Sequence, residues 1–525
     1  MNKRKIVLAI MDGVGLKDDS FGNAFKNANT PNLDSLLKDY PHKAIYAHGT
    51  YVGLPSDEDM GNSEVGHNAM GCGQIYSQGA KLVNEAINNG DLFQGDTWKE
   101  LIDYSKENTL HFIGLLSDGN VHSHINHLLK MLEESKKAGV KKVRVHILLD
   151  GRDVDETSAL KYVEILENKL AELNDETFDS KIASGGGRMN ITMDRYEANW
   201  KMVEKGWHAH VLGDARKFKS AKEAIETYRK ETNVIDQDLD SFVITDENDE
   251  PVGTINDGDG VVFFNFRGDR AIEISKAFDE ENFDKFDRVR YPKVYYAGLL
   301  EYDSEVKIPK HYLTAPPNIK YTLTEELCKY GVYEYAVSET QKFGHVTYFW
   351  NGNRIDKFDE NLETYEEVPS DVISFDKAPK MKSFEITDKL LNAIDTKKYT
   401  FLRTNFPNGD MVGHTGNYEA TIKAMEAVDE NIGRIMKKVD EDENTILIVI
   451  ADHGNCEEMY QDESKKSKTS HTLNKVPFII YGKNIDDIKI KPGEFGLANL
   501  ASTITCLLDI EPNEHWLESI VEVSK

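Results

Sequence analysis

The chain has 525 residues, 63 basic and 91 acidic side chains and a formal charge of −28, with a mean hydropathy of −0.53. So acidic a surface repels nucleic acid and anionic membranes, which excludes both as main partners. With 39% hydrophobic and 10% aromatic residues, the chain can fill real cores. At about 100 to 200 residues per domain, its length predicts about two to four of them. Spanning a bilayer takes roughly 18 consecutive apolar residues, and runs such as Ile446 to Ala451 are strand-sized. The basic start Met1 to Lys5 leads into Ile6 to Met11, but Asp12-Gly13 ends the run without a small-residue cleavage site, so it reads as a first strand. Cys72, Cys328, Cys456 and Cys506 form no C-x-x-C pair, which argues against a disulfide framework or zinc ribbon and fits a reducing cytosol.

In chain order, apolar runs predict strands at Lys5 to Met11, Leu110 to Leu116, Val143 to Leu149, Val261 to Phe266, Val294 to Leu299, Thr400 to Leu402, Thr445 to Ile450 and Val476 to Tyr481. Helices fall between them. Leu160, Val163, Leu166 and Leu170 predict one over Ser158 to Leu173, and Ser220 with Glu223 predicts a capping box opening another. Continuous apolar strands alternating with helices predict an α/β fold with parallel sheets covered on both faces. Ala315-Pro316-Pro317-Asn318 is a stiff stretch with the character of a domain boundary.

Polar clusters follow the strands: Asp12-Gly13, Ser117-Asp118-Gly119, Asp150-Gly151-Arg152-Asp153, Asn265 to Arg270, Asn405 to Asp410 and Asp452 to Asn455. Ligands of open α/β sheets bind beyond the carboxyl ends of the strands. Any one cluster alone also reads as an Asp-Gly turn.

Asp410-x-x-x-His414, Asp452-His453, His471 and Asp12 form the sharpest constellation. Carboxylates with imidazoles are a ligand set for Mn²⁺, Zn²⁺ or similar ions, and these residues exceed what one tetrahedral site needs. A two-metal site would clamp the attacking and leaving oxygens of a phosphoryl transfer. Each histidine taken singly reads first as an ordinary core or surface residue, a reading that weakens for Asp452-His453 directly after the apolar run Ile446 to Ala451. Ser63, in Met60 to His67, reads either as a metal-activated nucleophile or as an N-cap serine with Glu64 in the first turn.

A cationic set comprises Arg152, Arg188 after the Ser184 to Gly187 run, Arg195, Arg267, Arg270 and Lys342. In so acidic a chain they suit a small phosphate or carboxylate. The alternatives are ion pairs of Arg267 or Arg270 with Asp269 and Glu273, an Arg152–Asp153 bridge, and a glycine run that is either an anion-holding nest or a flexible turn. Arg267 and Arg270 would share a face if their segment were helical. His122, His124 and His127 follow the second strand's turn, and His124 with Asp153 suits acid–base work on a hydroxyl. Gly13-Val14-Gly15 carries Asp18 where a dinucleotide fingerprint needs its third glycine, and no phosphate-binding loop of Walker type occurs.

Met60 to His67, Val121 to His127, Asp150 to Asp153, Asn265 to Arg270, Asp410 to His414, Ala451 to Asn455 and Ser470 to Thr472 together closely resemble the cofactor-independent phosphoglycerate mutases of the alkaline phosphatase superfamily. The resemblance spans essentially the whole chain. It implies two α/β domains. An alkaline-phosphatase-like, metal-binding domain is built from both chain ends, residues 1–78 and 318–525, and an α/β transferase domain, 79–317, is inserted, with hinges near 77–82 and 314–320.

By position, the resemblance implies that Ser63 is transiently phosphorylated. It implies Asp410, His414 and His471 as ligands of one divalent ion, and Asp12, Ser63, Asp452 and His453 as ligands of the other. Manganese is the expected metal, with cobalt and magnesium as alternatives. His124, Arg152, Asp153, Arg188, Arg195, Arg267, Arg270 and Lys342 match substrate-binding positions, with Asp153 and His124 as acid and base. The implied reaction is the glycolytic and gluconeogenic interconversion of 3-phosphoglycerate and 2-phosphoglycerate without 2,3-bisphosphoglycerate, by a cytoplasmic monomer whose partner is that small substrate. Domain closure would keep bound glycerate from water and from escape. Six residues, Met189 to Asp194, separate Arg188 from Arg195, one more than in the common bacterial pattern, while Ser184 to Arg188, the insert Ser56 to Asp59 and Asn68 to Met70 resemble the longer form of plants and some protists. The alternatives are a metal-dependent phosphatase or a mutase for another small phosphorylated metabolite, and, from another class, an inactive metal-stabilised binding protein.

Overall fold

The computed structural model describes residues 4–54, 57–194, 197, 199–303, 307–317, 319–461, 463, 465, 467–468 and 470–524. Two compact units divide the chain, Met1–Ser77 with Pro317–Lys525, and Gln78–Pro316. The chain re-enters the first unit between Pro316 and Pro317, within the proline stretch; Asn318 lies outside the described residues. The strands of the two large sheets are, in chain order, β1 Lys5–Met11, β2 His42–Ile45, β3 Thr109–Leu116, β4 Lys142–Leu149, β5 Asp179–Gly187, β6 Arg216–Phe218, β7 Phe242–Ile244, β8 Gly260–Phe263, β9 Tyr295–Gly298, β10 Glu334–Glu339, β11 Glu363–Val368, β12 Phe401–Phe406, β13 Thr445–Ile450 and β14 Val476–Tyr481.

In the first unit a seven-stranded sheet runs β11-β10-β12-β1-β13-β14-β2. Residues of β1 such as Ile6, Val7, Leu8 and Ile10 are buried whichever way they point, as a strand covered on both faces requires. The helix Tyr418–Val439 buries Ala424, Val428, Ile432 and Ile435, a stripe at helical spacing. Met11 pairs with Phe406 and Ile10 with Ile450. That register releases the loops after β1, β12 and β13 at one sheet edge.

The second unit's seven-stranded sheet runs β6-β7-β5-β4-β3-β8-β9. Leu116 pairs with Leu149, and Leu149 with Gly187, so Ser117-Asp118-Gly119, Asp150 to Asp153 and Arg188 also leave their sheet side by side.

Neither sheet is wholly parallel as expected. β14 is antiparallel to both β13 and β2, and β7 to β5. An apolar run marks a buried strand but not its direction. The glycine run is neither nest nor turn in its backbone, since Ser184 to Gly187 closes β5. A Cβ on Gly185 would lie 2.5 Å from the Phe242 ring, and one on Gly187 2.3 Å from the Gln237 carbonyl oxygen. Close packing therefore demands glycine inside this strand. β12 runs past Leu402 to Phe406 because Arg403, which interrupts the apolar pattern, is buried and paired with Glu334 at 2.6 Å. Ser220 accepts from the Glu223 N–H at 3.1 Å, but the Glu223 carboxylate returns to the Lys219 N–H, one residue before the cap. Among the described residues no helix is long and apolar enough to cross a membrane.

His210 is fully buried in the second unit, and burial lowers its pKa from 6.5 to about 3. Below pH 6.5 the unfolded chain gains a proton there that the folded chain refuses. The stabilisation is present above pH 6.5 and is lost as pH falls toward about 3. Between pH 7 and pH 5, wild type is expected to lose up to about 2 kcal/mol more stability than His210→Gln, read from urea midpoints. Parallel losses would contradict a neutral, buried His210.

Candidate active site

In the first unit Asp12 follows β1, and Asp452 and His453 follow β13. Asp410 lies in the first turn of the helix Asn408–Gly413 after β12, and His414 comes one turn later on the same face. Gly13, at φ +74°, lets two of these segments touch, since a Cβ there would lie 2.7 Å from the Asp410 backbone. Its N–H donates to Asp452 Oδ1 at 3.2 Å.

Asp410 Oδ1, His414 Nε2 and His471 Nε2 converge on one point, with separations of 2.9, 3.0 and 3.0 Å. Beside them Ser63 Oγ lies 3.2 Å from Asp12 Oδ1 and 3.1 Å from His453 Nε2. His453 Nε2 is 3.4 Å from Asp12 Oδ1 and 3.7 Å from Asp452 Oδ2. The groups adjoin, with His453 Nε2 3.8 Å from Asp410 Oδ1.

These donors suit divalent cations. His471 Nδ1 donates to the Gly61 carbonyl at 2.8 Å and His453 Nδ1 to the Gly454 carbonyl at 3.2 Å. Each ring thereby turns Nε2 toward the carboxylates, the usual way a ligand's tautomer is fixed. Donors about 3.0 Å apart match neighbours held about 2.1 Å from one ion. Asp452 Oδ2 is buried with no hydrogen-bond partner among the described residues, an orphan a cation would satisfy.

Electrostatics agree. Burial and the Asp12 charge push Asp452 up to about 7. Burial opposes protonation of His453, yet Asp452, Asp410 and Asp12 hold it at about 10. Burial also opposes ionisation of Asp12, and the Lys342 ammonium overcomes it, keeping that carboxyl well below the usual carboxylate range. The pocket thus gathers protons where positive charge is short.

Asn62, rather than Ser63, caps the helix Ser63–Cys72, accepting from the Val65 N–H at 2.9 Å. The Ser63 hydroxyl is left to face Asp12 and His453, and Lys342 Nζ donates to it at 2.6 Å. The same ammonium is 3.0 Å from Asp410 Oδ2 and 3.3 Å from Asp12 Oδ1. Lys342 therefore sits with the serine in the first unit.

Sequence reasoning missed the residues that aim these groups. Asn405 donates to Asp12 Oδ2 at 2.8 Å and to His67 Nε2 at 3.1 Å, and Asn455 to Asp410 Oδ1 at 3.0 Å. All three lie inside singled-out motifs, which was their available signal. Glu457, fully buried, accepts from Gly15 and Asn455 N–H groups at 2.9 Å each and from Asn474 Nδ2 at 2.9 Å. It ties three site loops together from a position with no sequence signal.

In the second unit Asp150 organises the edge. Its Oδ1 accepts from the Arg152 and Asp153 N–H groups at 3.1 Å each, and its Oδ2 from Ser117 Oγ at 2.6 Å. Arg188, 1% exposed, donates from Nη1 to Asp150 at 3.0 Å and also to Asp153 Oδ2. Asp153 therefore pairs with Arg188, while the Arg152 side chain is exposed. Residues 268–271 form a bend and turn before the helix Ile272–Asp279, so Arg267 and Arg270 do not share a helical face. Arg267 Nε lies 3.2 Å from Asp269 Oδ1, and Arg270 Nη1 donates to the Met193 carbonyl at 2.6 Å. His124, half-buried, caps the helix Ile125–Lys137 by accepting the Asn126 N–H on Nδ1 at 3.1 Å. That leaves its proton on Nε2. Arg195 lies outside the described residues.

Residues 4–512 match the Metalloenzyme superfamily. The chain is 52% identical, over 99% of its length and 97% of the relative's, to a probable 2,3-bisphosphoglycerate-independent phosphoglycerate mutase of Leptospira interrogans. It is 47% identical to the 2,3-bisphosphoglycerate-independent phosphoglycerate mutase of Trypanosoma brucei, with 99% of this chain and 98% of that one covered. A solved structure of Leishmania mexicana phosphoglycerate mutase at low cobalt concentration matches with a TM-score of 0.65 and 47% identity, covering 100% of this chain and 98% of that one.

Proposed function

The chain belongs to the 2,3-bisphosphoglycerate-independent phosphoglycerate mutase family of the metalloenzyme superfamily, and we propose that it carries out the family's reaction with Ser63 as the phosphoryl carrier. It interconverts 3-phosphoglycerate and 2-phosphoglycerate and needs no bisphosphoglycerate. The observation that carries the Ser63 assignment is one hydroxyl in contact with Asp12, His453 and Lys342 at 3.2, 3.1 and 2.6 Å.

Two divalent ions, manganese first and cobalt or magnesium as alternatives, would be held by Asp410, His414 and His471 and by Asp12, Ser63, Asp452 and His453. When bound, they supply Lewis-acid stabilisation of the phosphoryl oxygens and a lowered pKa for the Ser63 hydroxyl. Ser63 Oγ forms a bond to phosphorus as the bond from phosphorus to the glycerate oxygen breaks. Ser63 attacks as the alkoxide left when its acidified hydroxyl gives up its proton to solvent, and Lys342, beside Oγ, stabilises that alkoxide before attack and the charge that returns to Oγ when the phosphoserine bond breaks. Asp153 and His124 give the departing glycerate oxygen its proton and withdraw one from the hydroxyl that next attacks phosphoserine. Arg188 fixes the Asp153 carboxylate, and Arg152, Arg195, Arg267 and Arg270 hold phosphate and carboxylate. The first unit supplies the metal donors and nucleophile, the inserted unit the arginines, and one chain carries the full set, which supports a monomeric enzyme. Its unpaired cysteines support a cytoplasmic one.

Acid quenching of the protein after mixing with 3-phosphoglycerate is expected to leave a phosphoryl group on the peptide carrying Ser63, seen by mass spectrometry. A phosphoryl group on another residue would overturn the assignment.

A further inference from the structure

Away from the metal donors, the core of the second unit holds an unbroken file of polar side chains. His111 Nε2 lies 3.1 Å from Asp259 Oδ2, and His111 Nδ1 lies 3.0 Å from His146 Nε2. His146 Nδ1 is 2.7 Å from Ser184 Oγ, which is 2.7 Å from His210 Nδ1. His210 Nε2 is 2.9 Å from Thr192 Oγ1. His111, His146, His210 and Thr192 have no exposed surface, and Ser184 has 1%.

The file has a direction. An ionised Asp259 only accepts, so His111 carries its proton on Nε2 and accepts on Nδ1. His146 must then donate from Nε2 and accept on Nδ1 from Ser184. The serine in turn accepts from His210 Nδ1, and His210 Nε2 accepts from Thr192. Every donor meets one acceptor with all three histidines neutral, the state burial favours for each.

The far end matters. Thr192, at φ +66°, holds a left-handed conformation that β-branched residues rarely adopt, and such strain gathers at functional segments. Its hydroxyl has room because residue 206 is glycine, whose Cβ would lie 2.0 Å from Oγ1. The next residue, Met193, offers the carbonyl that receives Arg270 Nη1 at 2.6 Å.

We propose that Asp259, His111, His146, Ser184 and His210 form a directional hydrogen-bond relay that holds Thr192 in this conformation, making Thr192 a positioning residue for the substrate arginine Arg270. The proposal rests on Arg270 binding phosphoglycerate.

Two measurements on the full chain test it. Nitrogen-15 NMR of the histidines at neutral pH should show His111 and His146 protonated on Nε2 and His210 on Nδ1, all neutral. His210 protonated on Nε2, or any of the three charged, would overturn the relay. In kinetics, Thr192→Val should raise KM for 3-phosphoglycerate about tenfold with kcat nearly unchanged, and Thr192→Ser should restore it. Ser184→Ala should raise KM in the same sense. Wild-type KM in Ser184→Ala, or in a Thr192→Val that folds, would overturn the positioning role. Should the wild type not interconvert phosphoglycerates at all, the functional reading fails and the NMR pattern still decides the relay.

Discussion

Ser63→Ala is expected to lower mutase turnover by at least about 10⁴-fold, the scale on which removing a covalent nucleophile acts. The substitution deletes one oxygen and the contacts to Asp12, His453 and Lys342. It should leave the fold alone, because Asn62 does the capping and alanine is a good helix former. Turnover in a 2-phosphoglycerate assay, beside a thermal melt, checks both halves. A folded Ser63→Ala variant with a tenth of wild-type activity would show that the phosphoryl group travels another way.

Removal of divalent metal comes next in size. Dialysis against EDTA should abolish activity by about 10³-fold or more. Adding manganese, cobalt or magnesium singly should restore it to an extent that identifies the working ion. The melting temperature should rise with the restoring metal, since binding to the folded state alone stabilises by about 2.7 kcal/mol at a hundredfold excess over Kd. Asp410, Asp12 and Asp452 are all fully or nearly fully buried, and among the described residues the Lys342 ammonium lies 3.0 Å from Asp410 and 3.3 Å from Asp12, so divalent cations would offset the remaining negative charge. Activity that survives both EDTA and Asp410→Asn would contradict a metal role for these residues.

Much of the candidate site is legible in the sequence because its chemistry is concentrated at strand ends. Asp12, Asp452 and His453 directly follow strands whose apolar runs are unmistakable. The parallel register of β1 with β12 and β13 brings these side chains to one edge, and that direction is a fact of the fold rather than of the apolar pattern. The role of Asn62 was hidden because Asn and Ser are equally good caps in sequence, and only backbone geometry separates them. β5 and β12 were obscured by residues whose burial depends on partners remote in sequence, glycines against Phe242 in one and Arg403 against Glu334 in the other. Glu457 gave no signal, since a carboxylate that accepts backbone N–H groups from distant loops looks locally like any surface glutamate. Lys342 reads among the arginines by its charge and, through the family resemblance, as a substrate-binding position; its place beside Ser63 is a fact of packing.

The most direct test supplies metal-loaded protein with 3-phosphoglycerate in buffer freed of bisphosphoglycerate, following 2-phosphoglycerate and inorganic phosphate together. Rapid 2-phosphoglycerate formation with little free phosphate is the predicted result. Accumulation of phosphate without 2-phosphoglycerate would make the chain a phosphatase and contradict the mutase account.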